Sequence, residues 1–466
     1  MLTYDLDKIE GSIYEHIYQC IKEDIQRGEL EPNTKLPSKR SFAKNNGIST
    51  ITVLNAYDQL MSEGYIYSIP KKGYYVSDIA TVTPSPKKVA LTLDITLPEP
   101  KKNYKIDLSS NQTDPKTFPF SIWAKLLREN ISNNQDQLMI PSPTGGIWEL
   151  RNAIAQHLKS FRGMLVDPNQ IIVGAGTEYL YGLLIQLIGN DKIYCVENPG
   201  YDKIVKIYKQ YNIECKYVAM DEHGITISGL QKANAQIAHI SPTHHFPTGI
   251  TIPVSRRYEL LAWANEENGR YIIEDDYDSE FRPSGKPIPP LQSIDACEKV
   301  IYINTFSKSL TSTMRMSYMV LPVHLINRFY KELSFYSCTV SNFEQYTLAR
   351  FITAGYFEKH INRMRLFYSR QREQVLQCIA NNRLKEHCTV IENDSGLHFL
   401  LLLDTKLSDQ EVTQRLATHG IHLKALSDYN FSNETIDTHK FIINYSNLDV
   451  QYLDEAFDKI YEYCLA

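Results

Sequence analysis

The chain has 466 residues, of which 43% are hydrophobic and 22% charged, with a net charge of −5. That length exceeds one ordinary domain and points to roughly three folding units of soluble, globular composition. The charge balance excludes a globally basic nucleic-acid coat and leaves room only for a local basic surface.

The opening residues, Met1 to Asp5, form no basic n-region or apolar h-region, and no later run reaches the ~18 apolar residues of a membrane span. A cytoplasmic protein with no membrane partner is expected. Ile13, Ile17, Ile21 and Ile25 recur every four residues and predict a first helix, stopped by Gly28. Ser38 is placed to cap a second helix, with Lys39, Arg40 and Lys44 in its first two turns. Asn46-Gly47 then turns into a third helix from Ser49, with Val53, Tyr57, Leu60 and Met61 at core spacing. Residues 65–69 and 73–76 read as strands joined by Pro70-Lys71-Lys72. Residues 1–78 therefore hold the parts of a winged helix, whose third helix can enter a major groove while the wing touches the backbone. A small helical dimerisation module is the other pattern they fit. Residues 79–105, with Pro84, Pro86, Pro98, Pro100 and several lysines, predict a semi-flexible tether.

From 106 to 466, apolar runs alternate with helical stretches. They predict a large α/β domain with a mostly parallel sheet and a smaller C-terminal α+β subdomain from about residue 345. Ile171-Ile172-Val173 leads into Gly174-Ala175-Gly176-Thr177, a strand turning through glycines into a helix, which suits a phosphate or is simply a tight connection. Another strand leads to Tyr201 and Lys203. Tyr271-Ile272-Ile273 ends in Glu274-Asp275-Asp276-Tyr277-Asp278. Such carboxylates could bind Mg²⁺, or one of them could keep a pyridine nitrogen protonated while a phenol bonds the ring hydroxyl. Asp275 and Tyr277 point the same way if the strand continues that far. After the run 300–303 come Thr305, Ser307, Lys308 and then Arg315. Partial burial there would lower the lysine pKa so that its amine attacks an aldehyde, with Thr305, Ser307 and Arg315 disposed to hold a phosphate. The eight cysteines form no Cys-x-x-Cys pair. His244, His245 and His398 lie beside Pro and Gly, where backbone hydrogen bonding is the ordinary role, so no metal site is expected.

Leu36-Pro37-Ser38-Lys39-Arg40-Ser41-Phe42-Ala43, Ile48-Ser49-Thr50-Ile51-Thr52-Val53 and Ala56-Tyr57-Asp58-Gln59-Leu60 resemble the DNA-binding domain of GntR-type bacterial regulators. The resemblance implies DNA contacts from Arg40 beside Lys39, from the start of the third helix at Ser49, Thr50 and Thr52, and from Gly73 beside Lys71 and Lys72. Thr50 stands where many relatives have arginine, so sequence preference leans on Arg40, the hydroxyls and the wing lysines. The stretches 174–177, 198–201, 241–249, 274–282 and 305–308 resemble a fold-type I aminotransferase domain. Joined to the GntR-like head, they resemble the MocR/GabR regulators over nearly the entire chain.

This implies pyridoxal 5′-phosphate (PLP) as cofactor. Lys308 would anchor its aldehyde, with Asp275 on the pyridine nitrogen and Tyr277 on the ring hydroxyl. Gly176, Thr177, Thr305, Ser307 and Arg315 would hold the phosphate, and Tyr201 and Lys203 would line the effector side. Phe246 replaces an asparagine of the enzymes, and Ile442 replaces their carboxylate-binding arginine. Lys203 stands where GABA-responsive relatives have arginine. The expectation is a homodimer that binds paired half-sites on double-stranded DNA. It would sense a small amine or amino acid other than GABA, or PLP itself. A working aminotransferase with an accessory DNA-binding head is the alternative.

Overall fold

In the computed structural model, which describes residues 2–5, 11–79, 95–98, 100, 102–282, 288–391, 396–431 and 437–465, the chain divides into two units, Met1–Lys101 and Lys102–Ala466. The tether residues 81–88 lie outside the described residues.

In the first unit, α1 (Ile13–Arg27) buries Ile17, Ile21 and Ile25, while Ile13, on the open first turn, stays exposed. Gly28 ends the helix in the left-handed region at φ 77°. Serines cap α2 (Lys39–Asn46) and α3 (Thr50–Ser62): Ser38 accepts the Ser41 N–H at 3.2 Å and Ser49 the Thr52 N–H at 3.0 Å. Val53, Ala56, Tyr57 and Leu60 form the core face of α3. Tyr57 packs edge-on against Phe42 and Tyr74, joining α2 to the antiparallel hairpin of β1 (Ile66–Ile69) and β2 (Gly73–Val76). This is a winged helix-turn-helix.

The second unit contains β3 (Ile106–Asp107), β4 (Ile171–Gly174), β5 (Ile193–Asn198), β6 (Glu214–Asp221), β7 (Gly224–Ile225), β8 (Ile237–Ile240), β9 (Tyr271–Asp276), β10 (Val300–Thr305) and β11 (Ser317–Val320). It continues with β12 (Cys388–Ile391), β13 (His398–Leu403), β14 (Ile421–His422), β15 (Lys424–Ala425) and β16 (Lys440–Asn444). The central sheet runs β4-β11-β10-β9-β8-β5-β6-β7. It is parallel from β10 through β9, β8 and β5 to β6, with β11 antiparallel to both of its neighbours. Because helices cover both faces, β10 feeds cores on each: Ile301 and Ile303 join one hydrophobic cluster, Tyr302 another and Val300 a third.

A smaller antiparallel sheet, β12-β13-β16-β15, forms the C-terminal part, and β3 pairs with β14. The boundary expected near residue 345 falls inside the helix Asn342–Thr353, which packs on the helices Phe120–Asn133 and Trp148–His157. Gly355, at φ 73°, separates it from the helix Tyr356–Asn381. Tyr104 and Lys105, expected in the tether, are docked. The Tyr104 ring stacks on His422 at 4.9 Å and Lys105 pairs with Glu455 at 2.6 Å.

Beside β9, Arg162 pairs with Asp276 at 2.6 Å with both side chains 2% exposed, and the Tyr302 hydroxyl donates to the same carboxylate at 2.7 Å. Removing one partner strands a buried charge. Arg162→Met should therefore lower the unfolding free energy by about 3–5 kcal/mol. Urea unfolding of the second unit measures this, and an unchanged midpoint would show that the pair contributes nothing.

Candidate functional site

The sheet register brings three strand ends together. Thr305 of β10 lies opposite Ser317 of β11, and Ser317 opposite Gly174 of β4, while Asp275 of β9 lies beside Ile303. Thr305 Oγ1 accepts the Ser307 N–H at 3.1 Å, capping the one-turn helix Phe306–Ser309 that carries Lys308. The Ser307 hydroxyl accepts from Thr305 at 2.8 Å, and Ser317 donates to Thr305 at 2.9 Å. Lys308 Nζ donates to the Asn111 carbonyl. Burial lowers the lysine pKa to about 8, against the opposing pull of Asp278. At the other end of this turn, His360 Nε2 lies 2.7 Å from the Ser309 carbonyl and Arg363 donates to Nδ1 at 3.0 Å, so the proton sits on Nε2. Burial keeps that imidazole neutral, with a pKa near about 4.

Strand alternation sorts the acidic run. Glu274 accepts the Leu291 and Gln292 N–H groups at 2.7 and 2.9 Å, and Asp276 takes Arg162. Asp275 and Tyr277, both half-buried, are the pair left for the strand end. Among the described residues no cluster could hold a metal ion. Asp275 Oδ2 accepts from the Tyr181 hydroxyl at 2.9 Å, while its Oδ1 is buried without a partner. His239 Nε2, also buried and unpartnered, lies 3.9 Å from Oδ2. Burial raises the Asp275 pKa to about 7. The Tyr277 hydroxyl lies 3.1 Å from His244 Nδ1, which is 2.9 Å from Asp278 Oδ2. His244 and His245 thus depart from the expected backbone bonding. The first faces a carboxylate and the second contacts Thr248 Oγ1 at 2.7 Å, and only His398 bonds a backbone carbonyl, that of Pro247, at 3.0 Å.

After β4, Gly176 caps the helix Thr177–Ile188 at φ 92°. A Cβ there would stand 2.6 Å from Arg315 Nη2, so any other residue would push the guanidinium away from the start of this helix. Arg315 also pairs with Glu178 at 3.3 Å, and Lys203 pairs with the same carboxylate. Tyr201 is 49% exposed, with its ring edge-on to Phe246 at 6.3 Å. Phe246 meets Tyr429 at 5.1 Å and packs on a buried cluster of Leu400, Leu426, Tyr429 and Ile442.

In the first unit Arg40, Lys71, Lys72, Ser49 and Thr50 are exposed. Lys39 lies over the Tyr74 ring at 5.2 Å, and Gly73 takes φ 116° at the wing. Ser49 and Thr52 turn their hydroxyls toward each other at 2.7 Å.

Residues 13–76 match the gntR family of bacterial regulatory proteins, and residues 103–460 match aminotransferase class I and II. The chain is 36% identical to the uncharacterized HTH-type transcriptional regulator YdeL of Bacillus subtilis over 89% of each chain. It is 32% identical to the HTH-type pyridoxine biosynthesis transcriptional regulator PdxR of Corynebacterium glutamicum, over 90% of this chain and 89% of that one. Identity to the probable rhizopine catabolism regulatory protein MocR of Rhizobium meliloti is 28%, over 99% and 95%. The chain belongs to the MocR-type transcriptional regulators. In fold it also resembles a kynurenine aminotransferase of Pyrococcus horikoshii, with a TM-score of 0.67 and 24% identity over 78% of this chain and 91% of that one.

In this MocR-type regulator the pocket fits PLP. A buried carboxylate oxygen without a partner calls for a charged N–H, which a protonated pyridine supplies. The Gly176 N–H is taken by the Gly174 carbonyl at 2.9 Å, so the Thr177 amide and Arg315 are the donors that suit a phosphate; Tyr277 suits the ring hydroxyl and Lys308 the aldehyde. Sequence reasoning missed Tyr181, His239, Ser317 and His360. Tyr181 alone left a local signal, being one helical turn beyond Thr177. Only the unprotonated lysine can capture the aldehyde. The rate at which apo protein takes up PLP should therefore rise about tenfold per pH unit below pH 8 and level off above it. Stopped-flow absorbance at visible wavelengths reads this rate, and Lys308→Ala should abolish the signal.

Proposed function

We propose that this chain is a cytoplasmic, homodimeric regulator that binds paired half-sites on double-stranded DNA and senses a small amine or amino acid at the Lys308 pocket. The observation that carries this reading is the unpaired Asp275 Oδ1, which wants a cofactor, on a chain that begins with a winged helix. PLP bound there would supply an aldehyde open to amine exchange and an electron-poor ring. Lys308 holds the position for which an effector amine competes. Tyr201 and Phe246 line the approach, and Asp275 and Tyr277 keep the ring in one orientation.

A second reading, that PLP itself is the signal, draws support from the packed Ile442 corner. The enzymes' carboxylate-binding arginine is replaced there by a side chain buried among Leu400, Leu426 and Tyr429. The pyridoxine biosynthesis relative fits the same reading.

The test is DNA affinity of the full-length protein, with and without PLP, across a panel of amines and amino acids. A coupling of ~1–3 kcal/mol predicts a change of about 5- to 150-fold for the true effector. A change with PLP alone, and none on adding any amine, would select the second reading. Sustained keto-acid production at ordinary enzyme rates would overturn both. Arg40→Ala should weaken operator binding by about 10- to 100-fold without altering the visible absorbance of the holo protein.

A further inference from the structure

The solvent side of α3 is unlike a phosphate-gripping helix. None of its residues is Lys or Arg, and Val53, Ala56, Tyr57 and Leu60 occupy its core face. The opposite face runs Ile51, Asn55, Asp58, four and then three residues apart. Ile51 is 69% exposed on the first turn, the part of a recognition helix that meets base edges. Two of the hydroxyls expected to read bases are engaged locally. Ser49 Oγ and Thr52 Oγ1 lie 2.7 Å apart, and Ser49 Oγ also takes the Thr52 N–H. Asp58, two turns further on, repels phosphates and keeps the far end of the helix out of a groove. The end that can enter is the turn bearing Ile51.

An isoleucine side chain neither donates nor accepts a hydrogen bond. Along the major groove the apolar group on a base edge is a pyrimidine 5-methyl, carried by thymine in ordinary DNA and by 5-methylcytosine in modified DNA. We propose that Ile51 determines sequence specificity by reading a pyrimidine 5-methyl group in each half-site. This rests on the DNA-binding role of the first unit. Burial of one methyl group is a modest term, so Ile51 discriminates between bases while the exposed Arg40, Lys71 and Lys72 supply the charge that anchors the complex.

The test uses full-length protein and a duplex it enriches from a randomised pool. Each thymine is replaced in turn by deoxyuridine, which keeps every hydrogen-bonding group and loses only the methyl. At one symmetric pair of positions affinity should fall about 3- to 10-fold per half-site. Ile51→Ala, with an unchanged melting temperature, should bind the thymine and deoxyuridine duplexes equally. If the enriched duplex has cytosine there, methylating it should raise affinity for the wild type and not for the variant, which assigns the contact to 5-methylcytosine. Insensitivity at every position, or an Ile51→Ala protein as sensitive as the wild type, would overturn the proposal. Failure to enrich any duplex would instead overturn the DNA-binding role and take the proposal with it.

Discussion

One carboxylate, Asp275, sets the terms for the second unit. Its Oδ2 is held by Tyr181, its Oδ1 has no partner, and burial lifts its pKa to about 7. A buried acid in that state is costly until a cationic N–H meets it. Holding it there requires a strand that ends inside the sheet, flanked by β8 and β10, and side chains that alternate so that its acidic neighbours find other partners. Glu274 is satisfied by two backbone amides and Asp276 by Arg162. These two neighbours are thus neutralised or hydrogen-bonded away from the strand end, although Asp276 and Asp278 still help to raise the Asp275 pKa.

The same economy governs the cation side. Burial lowers the Lys308 pKa to about 8, and the short helix that carries the lysine is anchored at both ends, by Thr305 at its start and His360 at its finish. Gly176 removes the side chain that would block Arg315. The amine, the carboxylate and the phosphate cup therefore come from separate strand ends, and the register that aligns Thr305, Ser317 and Gly174 makes them one site.

Much of this was legible in the residues because it is local. Isoleucine spacing marked α1, a serine cap marked α2, the Asn46-Gly47 turn marked the start of α3, and apolar runs followed by glycine, acidic or hydroxyl residues marked the strand ends that carry Gly176, Asp275 and Lys308. What escaped was set by contacts between distant segments. Ser317 lies 12 residues from Thr305, His244 lies 34 from Asp278 and His360 lies 51 from Ser309, and no short-range pattern links such pairs.

The distribution of unmet hydrogen-bonding capacity bears on the sensing role proposed above. On the cofactor side, Asp275 Oδ1 and His239 Nε2 are buried and unpartnered, so that side gains from a ligand. On the substrate side the positions that would grip an amino acid are already satisfied. Lys203 is paired with Glu178, and Ile442, Leu400 and Tyr429 pack together with Phe246. An aminotransferase must bind a second molecule in a reactive pose at every cycle, which takes a fork of donors aimed at its carboxylate. Here that fork is replaced by packed hydrocarbon, while the groups that retain a cofactor are kept. In the proposed sensing role, occupancy of the pocket, more than conversion within it, is the quantity such an arrangement would report, with the winged helix on the same chain as the means of reporting it.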